Sequence, residues 1–287
     1  MLANNVISSV PNTSDGGYDP ADPNVWANTK CWHFTPGSYI LQENLAYAQL
    51  IPATDYTIGG WFKIMYNGDM NSNYDLNYRR AIYAMFNGDS TNSNSIMYGS
   101  IIEDKRQPEN GGTIKLVTHN ENSYPFSGHQ FSENYGAVNS WQLLMMRVKT
   151  SASDDNAAWF TQGEYRSSNM RDYTQNPDEG NYAIRIGGED IEFYVSELGV
   201  WKDNLPATAI TSLYNNGTPV SFQENIGNYA DANGKDKLVA YYRFGDGTND
   251  NPASFLHDET NTDNSSTATD LNSMYGTIYE VPLQNAN

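Results

Sequence analysis

Three acidic residues stand close together in the second half of the chain, and paired carboxylates are the groups that hydrolyse glycosidic bonds. Retaining glycosidases place their two carboxyl groups about 5 Å apart, one as acid and one as nucleophile. Glu189, Asp190 and Glu192 come nearest to such a set, but in a regular strand only Asp190 and Glu192 share a face. The third position on that face is Tyr194, so the acidic set is broken. We therefore predict no catalytic residues and no enzymatic activity, with glycan depolymerisation as the least favoured alternative.

The other side chains that could act as nucleophiles or bases are dispersed. The four histidines are His33, His119, His129 and His257. No two of them have the spacing of a zinc-protease helix, and no Gly-x-Ser-x-Gly turn accompanies them. The single cysteine, Cys31, permits no internal disulfide and is interpreted as a small buried residue. No phosphate-binding glycine loop occurs, so the sequence predicts no certain cofactor.

Two acidic stretches carry oxygen-bearing side chains at a spacing that calcium loops use. The first contains Asp231, Asn233 and Asp236, and the second, GDGTNDNP, contains Asp246 and Asp250. Calcium prefers hard oxygen ligands clustered on one loop. In the first stretch Lys235 occupies the position where a third oxygen would be expected. The two stretches have two alternative interpretations: each is a binding loop for a structural calcium ion or a solvated acidic turn.

Two long polar segments, MYNGDMNSNYDLNYRR and HNENSYPFSGHQFSENYG, combine tyrosine with amides and carboxylates. A pyranose offers an apolar C–H face and a ring of hydroxyls, so its recognition needs aromatic faces and convergent polar groups. The residues predicted to bind carbohydrate are Asn73, Tyr74, Asp75, Tyr78, Tyr124 and Tyr135. A hydrated protein contact surface is the alternative, because tyrosine is enriched there for the same amphipathic reason.

Charge and composition narrow the range of partners. The 287 residues include 16 Lys and Arg against 34 Asp and Glu, a formal net charge of -18. Such a chain repels nucleic-acid phosphates and anionic lipid. Its first residues, MLANNVISSV, lack the basic and long apolar regions of a signal peptide, and no apolar run is long enough to span a membrane. We expect folding in a reducing cytoplasm, with no nucleic acid bound and no membrane insertion; secretion by a route without a cleaved signal is the alternative.

Short runs of alternating apolar residues dominate the chain from Cys31 onward. In YTIGGWFKI the residues at 56, 58, 60, 62 and 64 share one face, and similar runs follow, separated by Gly, Asn, Asp or Pro. Strands that recur without intervening helices predict an antiparallel sandwich. Phe193 and Val195 should pack inward, and Trp61, Trp141 and Trp201 are expected in the core.

One helix and an N-terminal arm complete the predicted organisation. LPATAITSLYNNG predicts a short helix near residues 206–215, because Pro206 stands near its start and Ile210 and Leu213 share a stripe. We expect this helix to close one rim of the sandwich. Residues 1–30 are rich in Pro, Gly, Asp and Ser and are interpreted as an extended arm, and residues 31–287 as one domain.

The order of these segments resembles the laminin-G-like, concanavalin A-like jelly roll. ATDYTIGGWFKI stands where that family has an early strand, and IRIGGEDIEFYVSELGVWKDNLPATAITSLYNNGTPV and LVAYYRFGDG follow its late motifs. Ser196 and Tyr242 replace an Asp and a Trp of the family pattern. The resemblance covers residues 31 to about 280 and implies an all-β sandwich of two antiparallel sheets.

In sequence, these motifs most resemble those of jelly-roll domains in tailed-phage virion proteins, including fibres, tail components and capsid decorations. The resemblance implies a non-enzymatic virion structural protein assembled in the host cytoplasm. It would contact other virion proteins through the arm, form a homo-oligomer and bind host-surface glycan with its outward domain. A free-standing carbohydrate-binding lectin is the alternative.

Overall fold

The computed structural model describes residues 31–35, 38–43, 55–64, 81–87, 96–104, 113–117, 128–130, 141–149, 157–168, 182–188, 192–244, 255–256, 258–260 and 274–275. In chain order the strands are β1 (Trp32–Phe34), β2 (Ser38–Glu43), β3 (Tyr56–Ile64), β4 (Ala81–Asn87), β5 (Ile96–Asp104), β6 (Thr113–Val117), β7 (Gly128–Gln130), β8 (Trp141–Val148), β9 (Ala157–Thr161), β10 (Glu164–Ser168), β11 (Tyr182–Gly188), β12 (Phe193–Trp201), β13 (Leu238–Tyr242), β14 (Phe255–Leu256) and β15 (Met274–Tyr275). The helices are α1 (Ala207–Tyr214), α2 (Gly227–Asp231) and α3 (Gly234–Lys237), with a 3₁₀ turn at Asn215–Gly217.

The strands form two large antiparallel sheets. Sheet I has the order β1, β12, β3, β8, β9, β10, and β13 also pairs with β12. Sheet II has the order β2, β11, β4, β5, β6, β7, and β14 pairs with β15 separately. The runs β4 to β7 and β8 to β10 pair in chain order, whereas the pairs β1–β12, β12–β3, β3–β8, β2–β11 and β11–β4 join strands that are distant in the chain, as in a jelly roll. The predicted all-β jelly-roll sandwich is thus confirmed, whereas the domain boundary at residue 30 stays a prediction.

One face of sheet I turns toward sheet II, and it carries the alternating apolar residues that the sequence predicted. Phe62 pairs with Val195, and Ile64 pairs with Phe193. A methyl group placed on Gly187 of sheet II would lie 2.7 Å from the Phe34 ring, so the two sheets touch closely here. Phe193 and Val195 are fully buried, as predicted from their period of two.

The opposite face of sheet I is also buried, because residues 202–237 pack across it. We call this segment the cap and this face the cap face. Trp61, Leu143, Met145, Ala158, Phe160, Trp201, Leu238 and Tyr241 form one cluster with Leu205, Ala209, Ile210, Leu213, Phe222 and Tyr229 of the cap. Every residue of β3 is consequently buried, which is unusual for a strand in an antiparallel sheet.

Hydrogen bonds from sheet I fix the cap in place. Thr57 Oγ1 donates to the Asp203 carbonyl at 2.8 Å and accepts from the Leu205 amide at 3.0 Å. Trp201 Nε1 donates to the Tyr229 hydroxyl at 2.9 Å, and that hydroxyl donates to the Phe222 carbonyl at 2.8 Å. Because these groups lie under the cap, each bond replaces water that burial has removed.

The predicted helix is confirmed as α1. Its position on the sheet differs from the prediction, and two further helices that were not predicted accompany it. Pro206 stands at its N-cap and Asn215 ends it in the left-handed conformation. Ile210 and Leu213 pack against the cap face, so α1 covers a face of the sheet and does not close a rim. Two further helices follow, of five and four residues, which are too short to show a helical period in the sequence. None of the helices among the described residues is long and apolar enough to cross a bilayer.

Candidate functional site

Four residues from four neighbouring strands line up in one row across the cap face of sheet I. His33 of β1 pairs with Tyr194 of β12, Tyr194 pairs with Lys63 of β3, and Lys63 pairs with Trp141 of β8. Directly paired residues point to the same side of a sheet, and adjacent strands lie about 4.8 Å apart, so the row extends about 14 Å. We call these four residues the end row, because Lys63 and Trp141 form the last pair of the β3–β8 register.

The end row lies beside the part of the sheet that the cap covers. Trp61, two residues before Lys63 on the same face, is fully inside the cap cluster, whereas Trp141 is half-buried and packs against the edge of that cluster. Tyr194 is half-buried as well. The end row therefore has two half-buried aromatic side chains, Tyr194 and Trp141, beside two buried residues, His33 and Lys63.

His33 and Glu192 hold the β1 end of the row together. His33 is fully buried, and its Nε2 lies 2.9 Å from Glu192 Oε1, while 23% of the Glu192 side chain is exposed. The His33 ring stacks on Tyr194 with the centroids 4.1 Å apart and the planes 7° from parallel. His33 Nδ1 has no hydrogen-bond partner among the described residues.

Burial governs the protonation of these aromatic groups. It lowers the pKa of His33 below its usual value, although the hydrogen bond and the negative charge of Glu192 act in the opposite direction. Burial also raises the pKa of the Tyr194 hydroxyl, with smaller contributions from Cys31 and Glu192. At neutral pH His33 is therefore uncharged, and its Nε2–H donates to the Glu192 carboxylate. Lys63 Nζ lies 5.8 Å from the centroid of the Tyr194 ring, within reach of a cation–π interaction.

Four chain segments enter or leave the sandwich next to the end row. They are residues 36–37 after Thr35, 65–80 after Ile64, 131–140 before Trp141 and 189–191 before Glu192. Of the residues predicted to bind carbohydrate, Asn73, Tyr74, Asp75 and Tyr78 belong to the second segment and Tyr135 to the third. Tyr124 belongs to residues 118–127, which join Val117 to Gly128 at the other end of the β6–β7 pair. All six residues lie outside the described part of the chain, so their role stays a prediction.

The predicted calcium ligands fall partly within the described residues. Asp231 ends α2, Asn233 precedes α3 in the left-handed conformation, and Asp236 lies in α3, all with exposed side chains. Asp246 and Asp250 lie outside the described residues. In the described ranges no three His, Cys, Asp or Glu side chains stand close enough to hold a metal ion. Calcium binding thus finds no support in this part of the chain and stays a prediction.

The acidic set considered for hydrolysis is represented only by Glu192. Its carboxylate accepts a hydrogen bond from His33, and Glu189 and Asp190 lie outside the described residues. Sequence reasoning did not find the end row, because its members stand at positions 33, 63, 141 and 194 and only the register of four strands brings them together. The one signal available was the alternation in β12, which placed Tyr194 opposite to the inward residues.

Comparisons with known proteins give structural likenesses only. No family model matches the chain, and no curated protein matches it. The binding domain of Paraclostridial Mosquitocidal Protein 1 is similar at 14% identity and a TM-score of 0.47, over 77% of this chain and 56% of that one. The binding domain of botulinum neurotoxin serotype D is similar at 13% identity and 0.45, over 76% and 54%. The native heptameric SAP-like pentraxin of Limulus polyphemus is similar at 12% identity and 0.36, over 74% and 82%.

This chain thus spans about half the length of the two toxin domains. At these identities and TM-scores the likenesses carry no information about ligand, activity or partners.

Proposed function

We propose that this protein is a non-enzymatic binding module that recognises carbohydrate at the end row and the segments beside it. The observation that carries the proposal is the end row itself, in which half-buried Tyr194 and Trp141 flank Lys63 on one sheet face. Aromatic faces pack against the C–H side of a sugar, and polar groups from adjoining segments bond its hydroxyls. The tyrosine- and asparagine-rich segments 65–80 and 131–140 join the sheet at this row.

The absence of catalysis is part of the proposal, and the described ionisable groups support it. Glu192 and His33 are bonded to each other, and Tyr194 has a raised pKa, so it stays protonated at neutral pH. Buried Asp258 accepts hydrogen bonds from the Tyr241 amide and from Thr260, which holds residues 258–260 along β13. Asp258 is thus engaged in holding the sandwich together, and His33 and Glu192 bond each other.

Glycan binding by the full chain tests the proposal. We expect selective binding on a glycan array, and isothermal titration with the strongest glycan should show at least about tenfold weaker binding for Tyr194→Leu, equivalent to about 1.4 kcal/mol. Tyr165→Leu is the matched control, because Tyr165 is 51% exposed on β10 of the same sheet and lies outside the end row. Equal affinity of Tyr194→Leu and wild type, or no bound glycan, would contradict the proposal.

As a second proposal, we infer that the protein is a structural component of a phage virion. In the virion it forms homo-oligomers, and it contacts other virion proteins through residues 1–30. One observation favours it: β1, which directly follows those residues, forms an edge of sheet I. A segment that leads into an edge strand reaches the perimeter of the sandwich, where a neighbouring subunit can bind it. Light scattering on the full chain should show a defined oligomer, and a monomer at every concentration would contradict this assignment.

A further inference from the structure

Helix α1 runs along the strands of sheet I, and its C-terminal end is directed toward the end row. Near its start the Leu205 amide donates to Thr57 Oγ1 at 3.0 Å, and Arg147 Nη1 donates to the Leu205 carbonyl at 3.0 Å. Near its end the Tyr214 ring stacks on Trp61, with the centroids 6.0 Å apart and the planes 22° from parallel. Thr57 and Trp61 lie four residues apart on β3, a rise of about 14 Å, and the eight residues of α1 extend about 12 Å. The helix therefore covers the sheet from the Thr57 row to the Trp61 row.

The chain leaves α1 one row before the end row. Lys63 stands two residues beyond Trp61 on β3, a further rise of about 7 Å. Asn215 and Asn216 continue the chain from Tyr214, and both side chains are exposed. These two residues lie on the side of the cap that borders the end row.

The turn between β9 and β10 contacts both the end row and α1. Gln162 Nε2 donates to the Trp141 carbonyl at 3.4 Å. The Gly163 carbonyl accepts from Thr211 Oγ1 of α1 at 2.7 Å, and a methyl group placed on Gly163 would lie 2.7 Å from Tyr214 Cβ. Trp141 of the end row and Tyr214 of the cap, both half-buried, are thus held beside the same turn.

Asn215 and Asn216 both have the left-handed backbone conformation, with φ of 44° and 55°. Glycine adopts this conformation readily, and asparagine is among the few other residues that tolerate it. The Asn215 side chain donates to the Thr218 carbonyl at 3.2 Å, which fixes the turn after α1. The Asn216 amide is exposed beside it, and an amide has an acceptor oxygen and two donor hydrogens. Adjacent hydroxyl groups of a pyranose offer the complementary donor and acceptor.

The charges around this border oppose a negatively charged ligand. Helix α1 ends here with the partial negative charge of a helix C-terminus, and no basic residue lies in its last turn. Glu192 is 23% exposed, whereas Lys63, the cation of the end row, is buried beside the Tyr194 ring. The four segments that join the sheet at this row contain five acidic residues and two arginines. A carboxylate on a sugar would be repelled by this excess of negative charge, whereas hydroxyl groups would not.

We propose that an uncharged glycan binds between the end row and the end of α1, with Tyr214 and Asn216 as the binding residues that the cap contributes. The inference rests on the proposed function and adds to it the class of glycan and a second wall of the site. On this wall Tyr214 contacts the C–H side of a sugar, and the Asn216 amide bonds adjacent hydroxyl groups. Sialic and uronic acids bind less well, because negative charge surrounds the site.

Asn216→Gly tests the second wall without disturbing the backbone, because glycine fits the left-handed conformation of this residue. Isothermal titration of the full chain with the strongest uncharged glycan from the array should show at least about fivefold weaker binding, the effect of one lost hydrogen bond. Asn233→Gly is the matched control and should bind as wild type. Asn233 is also exposed, has a φ of 52° and precedes a glycine, but it stands before α3, which is bonded to Lys202 at the opposite end of the cap face. If Asn216→Gly binds as tightly as wild type while Tyr194→Leu binds weakly, the second wall is refuted and the proposed function stands.

An array of oligosaccharides printed as matched pairs, with and without a terminal sialic acid, tests the selection by charge. We expect the uncharged member of a pair to bind at least about fivefold more tightly, the effect of one like charge at about 4 Å in water. The difference should shrink in about 1 M salt, where the Debye length is about 3 Å. Tighter binding of the sialylated members would overturn the selection by charge and leave the proposed function intact. If no member of any pair binds, the proposed function fails and this inference fails with it.

Discussion

The hydroxyl of Tyr229 is the buried polar group that ties the cap to sheet I, and its removal is the sharpest test of the packing described above. It accepts from Trp201 Nε1 and donates to the Phe222 carbonyl, and all three residues are fully buried. Burial raises the pKa of Tyr229, so the hydroxyl keeps its proton and its role as donor. Tyr229→Phe removes one oxygen and keeps the ring, so only the two hydrogen bonds are lost.

The expected cost comes from the two groups left without this partner. Each buried unsatisfied donor or acceptor costs about 1–3 kcal/mol, so the two groups together should lower the free energy of unfolding of Tyr229→Phe by about 2–6 kcal/mol. In a domain of this size, at about 2–4 °C per kcal/mol, that corresponds to a fall in Tm of about 4–24 °C. Urea unfolding followed by tryptophan fluorescence measures it, with Tyr165→Phe as the matched change at a 51% exposed site. If Tyr229→Phe costs no more than this control, the cap is not held by the bonds described here.

Two further substitutions test the strand packing and the edge of sheet I. A methyl group at Gly60 would lie 1.8 Å from the Glu197 carbonyl oxygen. Gly60→Ala should therefore lower the free energy of unfolding by more than about 3 kcal/mol or prevent folding. A melting temperature near that of the wild type would contradict this close approach. Asp258→Ala removes the acceptor for the Tyr241 amide and for Thr260. Chemical unfolding should show a loss of about 2 kcal/mol, and hydrogen exchange at the Tyr241 amide should accelerate; unaltered exchange would refute the role of Asp258.

The features of the fold that depend on local order were predictable from the sequence. The alternation in β3 and β12 follows from the side-chain period of a strand, which is why Phe193 and Val195 lie where they were expected. The start of α1 follows from Pro206 and from the apolar stripe of Ile210 and Leu213. Each of these signals is contained within about a dozen neighbouring residues, so no tertiary contact is needed to interpret it.

The features that depend on long-range register were not predictable. Thr57 and Lys63 are polar residues of β3 and look solvent-facing in the sequence, yet both are buried on the cap face. Their burial results from chain segments that are distant in sequence, such as the cap that covers Thr57. Adjacent glycines are typical of bulges and tight turns, yet Gly59 and Gly60 lie within β3, where the backbones of β8 and β12 leave no room for a side chain.

The cap also limits where this sandwich can bind a ligand. A jelly roll offers a ligand the faces of its sheets and the segments at its rims, and on sheet I the cap closes one face with a fixed hydrogen-bonded cluster. The inner face lies against sheet II. On the cap face the end row contributes half-buried Tyr194 and Trp141, and Tyr165 on β10 is 51% exposed; the tyrosine- and asparagine-rich segment 65–80 joins the sheet beside the end row. Of these two places on the cap face, the end row is the one that the proposed function uses, and comparison of Tyr194→Leu with Tyr165→Leu tests that choice directly.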